Sequence, residues 1–322
     1  MTLSLIIKFW FCLIFIIPSM LCSIFNLYYF LIDRTFRQNL HNHVITIILL
    51  FGFIYMITDI IWLIHYYRTN SLISSTRTFC LLWISVDLSG YASIMILTAW
   101  ASIERHIFIF HQNLLSTSLK RFIFHYLPLI ICSIYPSTFY FIGFFALPCT
   151  IPSNYHHERC QLGFCLSIHE ILGTWDSSIN NILPIFVIVI FSIGLIIRIW
   201  HKKYRIGQRF QWKKYKKMTF QLLSLSALYL LLVLPSQILY TAYTFGLSSD
   251  IGWDFFLDSY YFSYFTMLFT PFVSIASLPE LRTKFRKIIQ FSQRQQNTIA
   301  PEIREMSRIK NRRVDRRTGT VQ

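Results

Sequence analysis

Residues 79–111 read FCLLWISVDLSGYASIMILTAWASIERHIFIFH. A cysteine stands near the start, one aspartate (Asp87) interrupts the run early, and Glu104-Arg105-His106 closes a long apolar stretch. A bilayer core of about 30 Å takes roughly 20 residues of helix, which this stretch supplies. Barrel strands alternate apolar and polar residues, and this run does not, so it reads as a helix. We place a span at 79–103.

Six more segments have the same character: 9–32, 44–66, 122–147, 179–199, 218–243 and 255–278. The chain has 322 residues, 54% hydrophobic and 14% charged, with 31 Phe and 18 Tyr. A soluble domain carries about 25% charge. The net charge of +16 does not mark a nucleic-acid binder, because the basic residues punctuate long apolar runs instead of covering a soluble surface. The expected fold is an all-α membrane protein, a seven-transmembrane helix bundle with a short amphipathic eighth helix. Residues 1–290 form the membrane domain, and 291–322 form a basic, disordered cytoplasmic tail.

Orientation follows from Lys and Arg, which collect on the cytoplasmic side of short loops. With the N-terminus outside, the inner segments hold 26 of the 30: five in the first two inner loops, nine in 198–217 and twelve in the tail. The outer segments hold Lys8, Arg68, Arg77 and Arg159. Reading residues 1–22 as a cleaved signal peptide would force the basic tail outside, against this count. The same placement puts Cys80, Cys149, Cys160 and Cys165 outside, in an oxidising compartment, and Cys12, Cys22 and Cys132 within spans. Residues 279–291 (PELRTKFRKIIQF) space Leu281, Phe285, Ile288 and Ile289 on one helical face with basic residues opposite, the pattern of an interfacial helix.

The combination of Glu104-Arg105-His106 at the inner end of span three, Cys80 twenty-five residues before Arg105, and seven spans in this orientation resembles the rhodopsin-like G-protein-coupled receptors. The wider wording, MILTAWASIERHIFIFH followed by HYLPLIICSIYP, is similar to divergent invertebrate orphan receptors of that family. Asn26, Pro184, Pro235 and Pro271 fall where the family keeps an Asn in span one and prolines in spans five, six and seven. Other positions depart. Span six reads LVLP (232–235) without the family's Trp, and span seven reads TPFVS (270–274) in place of its Asn-Pro motif. Phe53 or Ile54 replaces the sodium-binding Asp, and Ser192 replaces a Tyr in span five.

The resemblance implies roles for individual residues. Arg105 would be held near Glu104 at rest and released to the G protein on activation, with Thr219 as the cross-span acceptor. The plain alternative is an arginine reaching the headgroups as a membrane anchor. A disulfide from Cys80 is implied, to Cys165 with Cys149–Cys160 as second pair, or to Cys160 with Cys149–Cys165; sequence does not choose. Asp87, eighteen residues before Arg105, faces the outer cavity about five turns up the helix. It would pair with a ligand ammonium, with Tyr264 hydrogen-bonding it, and Tyr91 and Asp176 complete the candidate ligand contacts. The alternative for Asp87 is a structural carboxylate satisfied by neighbouring hydroxyls. Asp59 and Asp176 read either as pocket residues or as solvated rim.

The expected function is a cell-surface receptor in the plasma membrane that binds an extracellular cationic ligand and activates a heterotrimeric G protein. Ser236 and Gln237 stand where amine receptors carry two Phe, so a peptide ranks ahead of a small amine. The alternatives are a seven-span transporter or channel, or a receptor-like protein without G-protein coupling. A transporter needs a polar path and often repeated halves, and neither is visible. No catalytic or metal site is expected, since His41/His43 and His156/His157 lie on opposite faces of the membrane. No cofactor is expected, because span seven has no Lys for a retinal Schiff base.

Overall fold

The computed structural model describes residues 3–146, 169–206, 212–248, 250–287 and 290, with only the backbone of 202–206, 212–219, 221 and 222. The chain forms two compact units, Met1–Ser277 and Leu278–Gln322. Among the described residues the first unit is helical and contains no strand. In chain order its helices are α1 (Leu5–Ile32), a single turn α2 (Arg34–Arg37), α3 (Leu40–Thr69), α4 (Arg77–Phe110), α5 (Ser118–Phe145), α6 (Glu170–His201), α7 (Trp212–Leu232), α8 (Leu234–Thr244) and α9 (Trp253–Ser277). In the second unit Pro279–Lys287 is helical, here α10. Ile288, Ile289 and the tail from 291 onward lie outside the described residues.

Five helices, α1 and α3 to α6, are each long and apolar enough to cross a membrane. Two bent helix pairs raise the count to seven if each is one span. The chain is a multi-pass membrane protein. Where the sequence reading draws one continuous span over 218–243, the structure breaks it by 51° between α7 and α8. Pro235 is the physical reason: it has no amide to donate to the carbonyl four residues back, and its ring crowds that carbonyl.

Helix α4 is the central element, packed against α3, α5 and α6. Its most apolar stretch is 72% buried, against 22–50% in the other four long helices. It is also the most polar of the five within the core, burying Ser85, Asp87, Ser93, Thr98, Ser102, Glu104, Arg105 and His106. A helix surrounded by protein can carry polar groups that a lipid-facing helix cannot, provided neighbours satisfy them. Several hydroxyls are satisfied locally: Ser85, Thr98 and Ser102 donate to carbonyls four residues back at 2.7, 2.8 and 3.1 Å. Thr76 caps the N-terminus of α4 by accepting from the Phe79 amide.

The apolar core joins Trp83, Ile94 and Leu97 of α4 to Ile60 of α3, Leu195 of α6, Tyr229 of α7 and Met267 and Leu268 of α9. Lipid tails are as apolar as these side chains, so close packing and cross-helix hydrogen bonds, more than water exclusion, hold such helices together.

Candidate functional site

Asp87 is fully buried on α4. Two phenols close over it. Tyr55 of α3 donates to Asp87 Oδ1 at 2.5 Å, and Tyr264 of α9 donates to the same oxygen at 3.1 Å. The Tyr55 and Tyr264 rings stack with centroids 6.0 Å apart, and Tyr260 meets Tyr264 edge-on. Tyr91, one turn along α4, accepts from Gln237 Nε2 of α8 at 3.1 Å and faces Tyr260. Asp87, Tyr264 and Tyr91 thus come together in one aromatic cluster. Tyr55 was not anticipated, because its approach depends on Gly90 rather than on any pattern within α3.

Asp176, the fourth expected ligand contact, belongs to a separate cluster between α5, α6 and α8. Its carboxylate accepts from Tyr140, from Asn180 at 2.9 Å and from Tyr240 at 3.2 Å. Asp59 of α3 accepts from the Trp83 indole at 2.6 Å. Neither is a solvated rim residue: Asp59 is fully buried and Asp176 nearly so.

Wide π-helical turns bring two of these acids inward. One spans Met56–Ile60 and contains Asp59; another spans Asp176–Ile182; a third, Phe122–Tyr126, contains His125. Each places an ionisable side chain in the interior. Such a turn inserts an extra residue and rotates everything beyond it by about 100° relative to a regular helix. In α6 the wide turn is followed at once by Pro184, whose missing amide removes a bond that regular helix would need there.

Glu104 and Arg105 do different things at the far end of α4. Glu104 pairs with the buried His125 of α5. The Arg105 guanidinium, 1% exposed, donates through Nη2 to the His41 carbonyl at 3.2 Å. Its Nε and Nη1 meet no acceptor among the described residues. His106 Nε2 contacts the Phe191 carbonyl of α6 at 2.7 Å, tying α4 to α6. The Thr219 side chain lies outside the described residues. His125 escaped sequence reading because nothing near it in the chain marks it as more than an interfacial histidine.

Helices α1 and α9 share a seam of polar contacts. Asn26 Nδ2 donates to the Pro271 carbonyl at 2.9 Å, and Ser19 donates to the Leu268 carbonyl at 2.8 Å. Near the start of α1, Lys8 lies 3.4 Å from Asp258, whose carboxylate also accepts from the Leu3 amide. Among the described residues Cys22 and Cys132 are free thiols, and Cys12 Sγ donates to the Tyr261 hydroxyl at 3.7 Å. Cys149, Cys160 and Cys165 lie outside the described residues, so the two pairings expected for Cys80 are not distinguished.

Comparison of the chain with protein-family models and with curated protein sequences gives no significant match.

Proposed function

We propose that this chain is a rhodopsin-like G-protein-coupled receptor of the plasma membrane. In this reading it has seven spans and a short eighth helix, an external N-terminus and a cytoplasmic basic tail. An extracellular cationic peptide or amine binds at Asp87, and the helix ends around Arg105 engage a heterotrimeric G protein. Cys80 is tied on the outer side to Cys165 or Cys160.

One observation carries the reading. Tyr264 donates to Asp87 from 177 residues away in the chain, joining the two residues that the resemblance pairs as ligand anchors. The two phenols donate to one oxygen of the Asp87 side chain. Phenols supply hydrogen bonds but no positive charge, whereas an ammonium supplies both and forms a charge-assisted bond. The buried position means that a ligand must displace the Tyr55 or Tyr264 lid, which links binding to movement of α3 or α9 against α4.

The test is a screen of cationic peptides and amines on cells expressing the chain, with second-messenger readout, followed by Asp87→Asn. Losing one partner of a buried charge pair costs about 3–5 kcal/mol. The variant should therefore weaken an active ligand by roughly a hundredfold or more. An Asp87→Asn receptor that binds and signals like wild type would remove the cationic-ligand assignment.

A further inference from the structure

At the Arg105 end of the helices, four elements meet through one unbroken line of hydrogen bonds. Glu104 Oε1 of α4 contacts His125 Nδ1 of α5. His125 Nε2 lies 3.0 Å from His43 Nδ1 of α3, and His43 Nε2 lies 2.9 Å from the Arg37 carbonyl of α2. Glu104 and His125 are buried, while His43 is partly exposed and lines a groove of about 520 Å³ with Arg37 and Tyr126. The inner members are sealed and the last one is reachable.

The geometry sets the number of protons. Each of the three contacts requires one hydrogen between its heavy atoms. The Arg37 carbonyl only accepts, so His43 Nε2 carries a proton. The middle contact holds a second, on either ring. If both rings were neutral and the first two protons were placed in this way, His125 Nδ1 would present a bare lone pair to Glu104. A carboxylate there would set lone pair against lone pair, so a third proton lies between them. The total is three wherever each proton resides, one more than a carboxylate and two neutral imidazoles bring.

A fourth proton has no bridge to occupy. On the second ring nitrogen of the middle contact it opposes an N–H to an N–H. On Glu104 Oε2 it removes the counter-charge of an imidazolium buried beside Arg105, and burial of an uncompensated charge is costly. Loss of the third proton is equally disruptive, because it leaves the buried carboxylate against a bare nitrogen.

We propose that Glu104, His125 and His43 form a proton-binding site that latches α4 to α5 and to the α2–α3 connection, its ligand being a single proton shared along the chain. The neighbouring charged and titratable groups are Arg105 on α4, His41 on α3, Arg37 on α2, and Tyr126, Lys120 and Arg121 on α5. The Phe108 and Tyr126 rings pack against His125. Among the described residues no group of three or more His, Cys, Asp or Glu side chains is arranged to hold a metal ion. Acidification loads a fourth proton through the partly exposed His43, separates the two histidine rings, and frees the α2–α3 turn from α5. The site does not depend on the receptor reading.

The experiment uses the full chain purified in detergent, with spin labels at Gln38→Cys and Asn113→Cys, both exposed positions, and Cys132 replaced by Ala. The inter-label distance distribution is measured from pH 9 to pH 5. Wild type should show one population at intermediate pH, a second that grows as the pH is lowered, and loss of the first as the pH is raised. His43→Gln accepts from His125 and donates to Arg37 but takes up no proton, so it should keep the single population down to pH 5. Glu104→Gln donates an amide N–H to His125 Nδ1 and so needs no third proton in that contact; it should keep the closed population when the pH is raised. A wild-type distribution that does not change with pH overturns the proposal. So does a wild-type acid transition in His43→Gln, or a wild-type alkaline transition in Glu104→Gln.

Discussion

The Tyr55 ring occupies the space that a side chain at position 90 would fill: a β-carbon on Gly90 would sit 2.5 Å from Tyr55 Cδ2. That notch in α4 lets the α3 ring lie flat enough for its hydroxyl to reach Asp87. The atom met is part of a rigid ring near its base, so it cannot swing aside as a flexible chain end would. A glycine and a tyrosine on different helices together determine how a buried carboxylate is held.

Gly90→Ala tests this directly. In an ordinary helix interior Gly→Ala stabilises by up to about 1 kcal/mol. Here the clash and the lost Tyr55–Asp87 bond outweigh that gain, and net destabilisation of about 1–3 kcal/mol is expected. Thermal unfolding of the detergent-purified protein measures it. A melting temperature at or above wild type would mean that the notch is not needed.

Tyr55→Phe and Tyr264→Phe each remove one hydrogen bond to the Asp87 carboxylate, worth about 1.5–3 kcal/mol when the acceptor is charged. The double variant should cost more than the sum of the two singles, because each phenol limits the exposure of the same oxygen to an unpaired state. Unfolding of all four forms completes the cycle. Strict additivity would show that the two phenols act independently.

The α1–α9 seam predicts an order of effects. Asn26→Ala breaks a fully buried 2.9 Å bond and should destabilise by about 1–2 kcal/mol. Lys8→Ala removes a 3.4 Å ion pair whose Asp258 side is 20% exposed, and it should cost under about 1 kcal/mol. The reverse order in thermal unfolding would refute the assignment of Asn26 as the stronger tie.

Arg105→Ala separates a coupling residue from a membrane anchor. If Arg105 engages a G protein, the variant should lose nucleotide exchange on it, while ligand affinity stays within about tenfold, 1.4 kcal/mol. The variant also loses the 3.2 Å bond to the His41 carbonyl and leaves space at a buried site, so exchange is compared at matched amounts of folded protein. Normal exchange in this variant would reinstate the anchor.

Much of the helical scaffold was legible in the chain, since the described helices run through each of the seven apolar segments drawn from it. The contact between Asp87 and Tyr264 was legible only through a family resemblance, and the geometry brings that pair together. The partners of Glu104, Asp59 and Asp176 were not legible. His125, Trp83 and Tyr140 lie 21, 24 and 36 residues from them, on other helices or another part of the same fold, and no local spacing links the pairs.

By itself the sequence determined that this protein is a set of long apolar helices crossing a membrane. Backbone groups in lipid must bond within their own segment, so length and apolarity alone dictate helix. Only the tertiary structure decided which buried acid meets which phenol, indole or imidazole. That choice depends on the rotation of each helix about its axis, and the wide turns at Met56–Ile60, Phe122–Tyr126 and Asp176–Ile182 reset that rotation. The extra residue in each turn leaves no mark in the hydrophobic pattern, because a helix buried on several sides tolerates apolar residues at almost any phase.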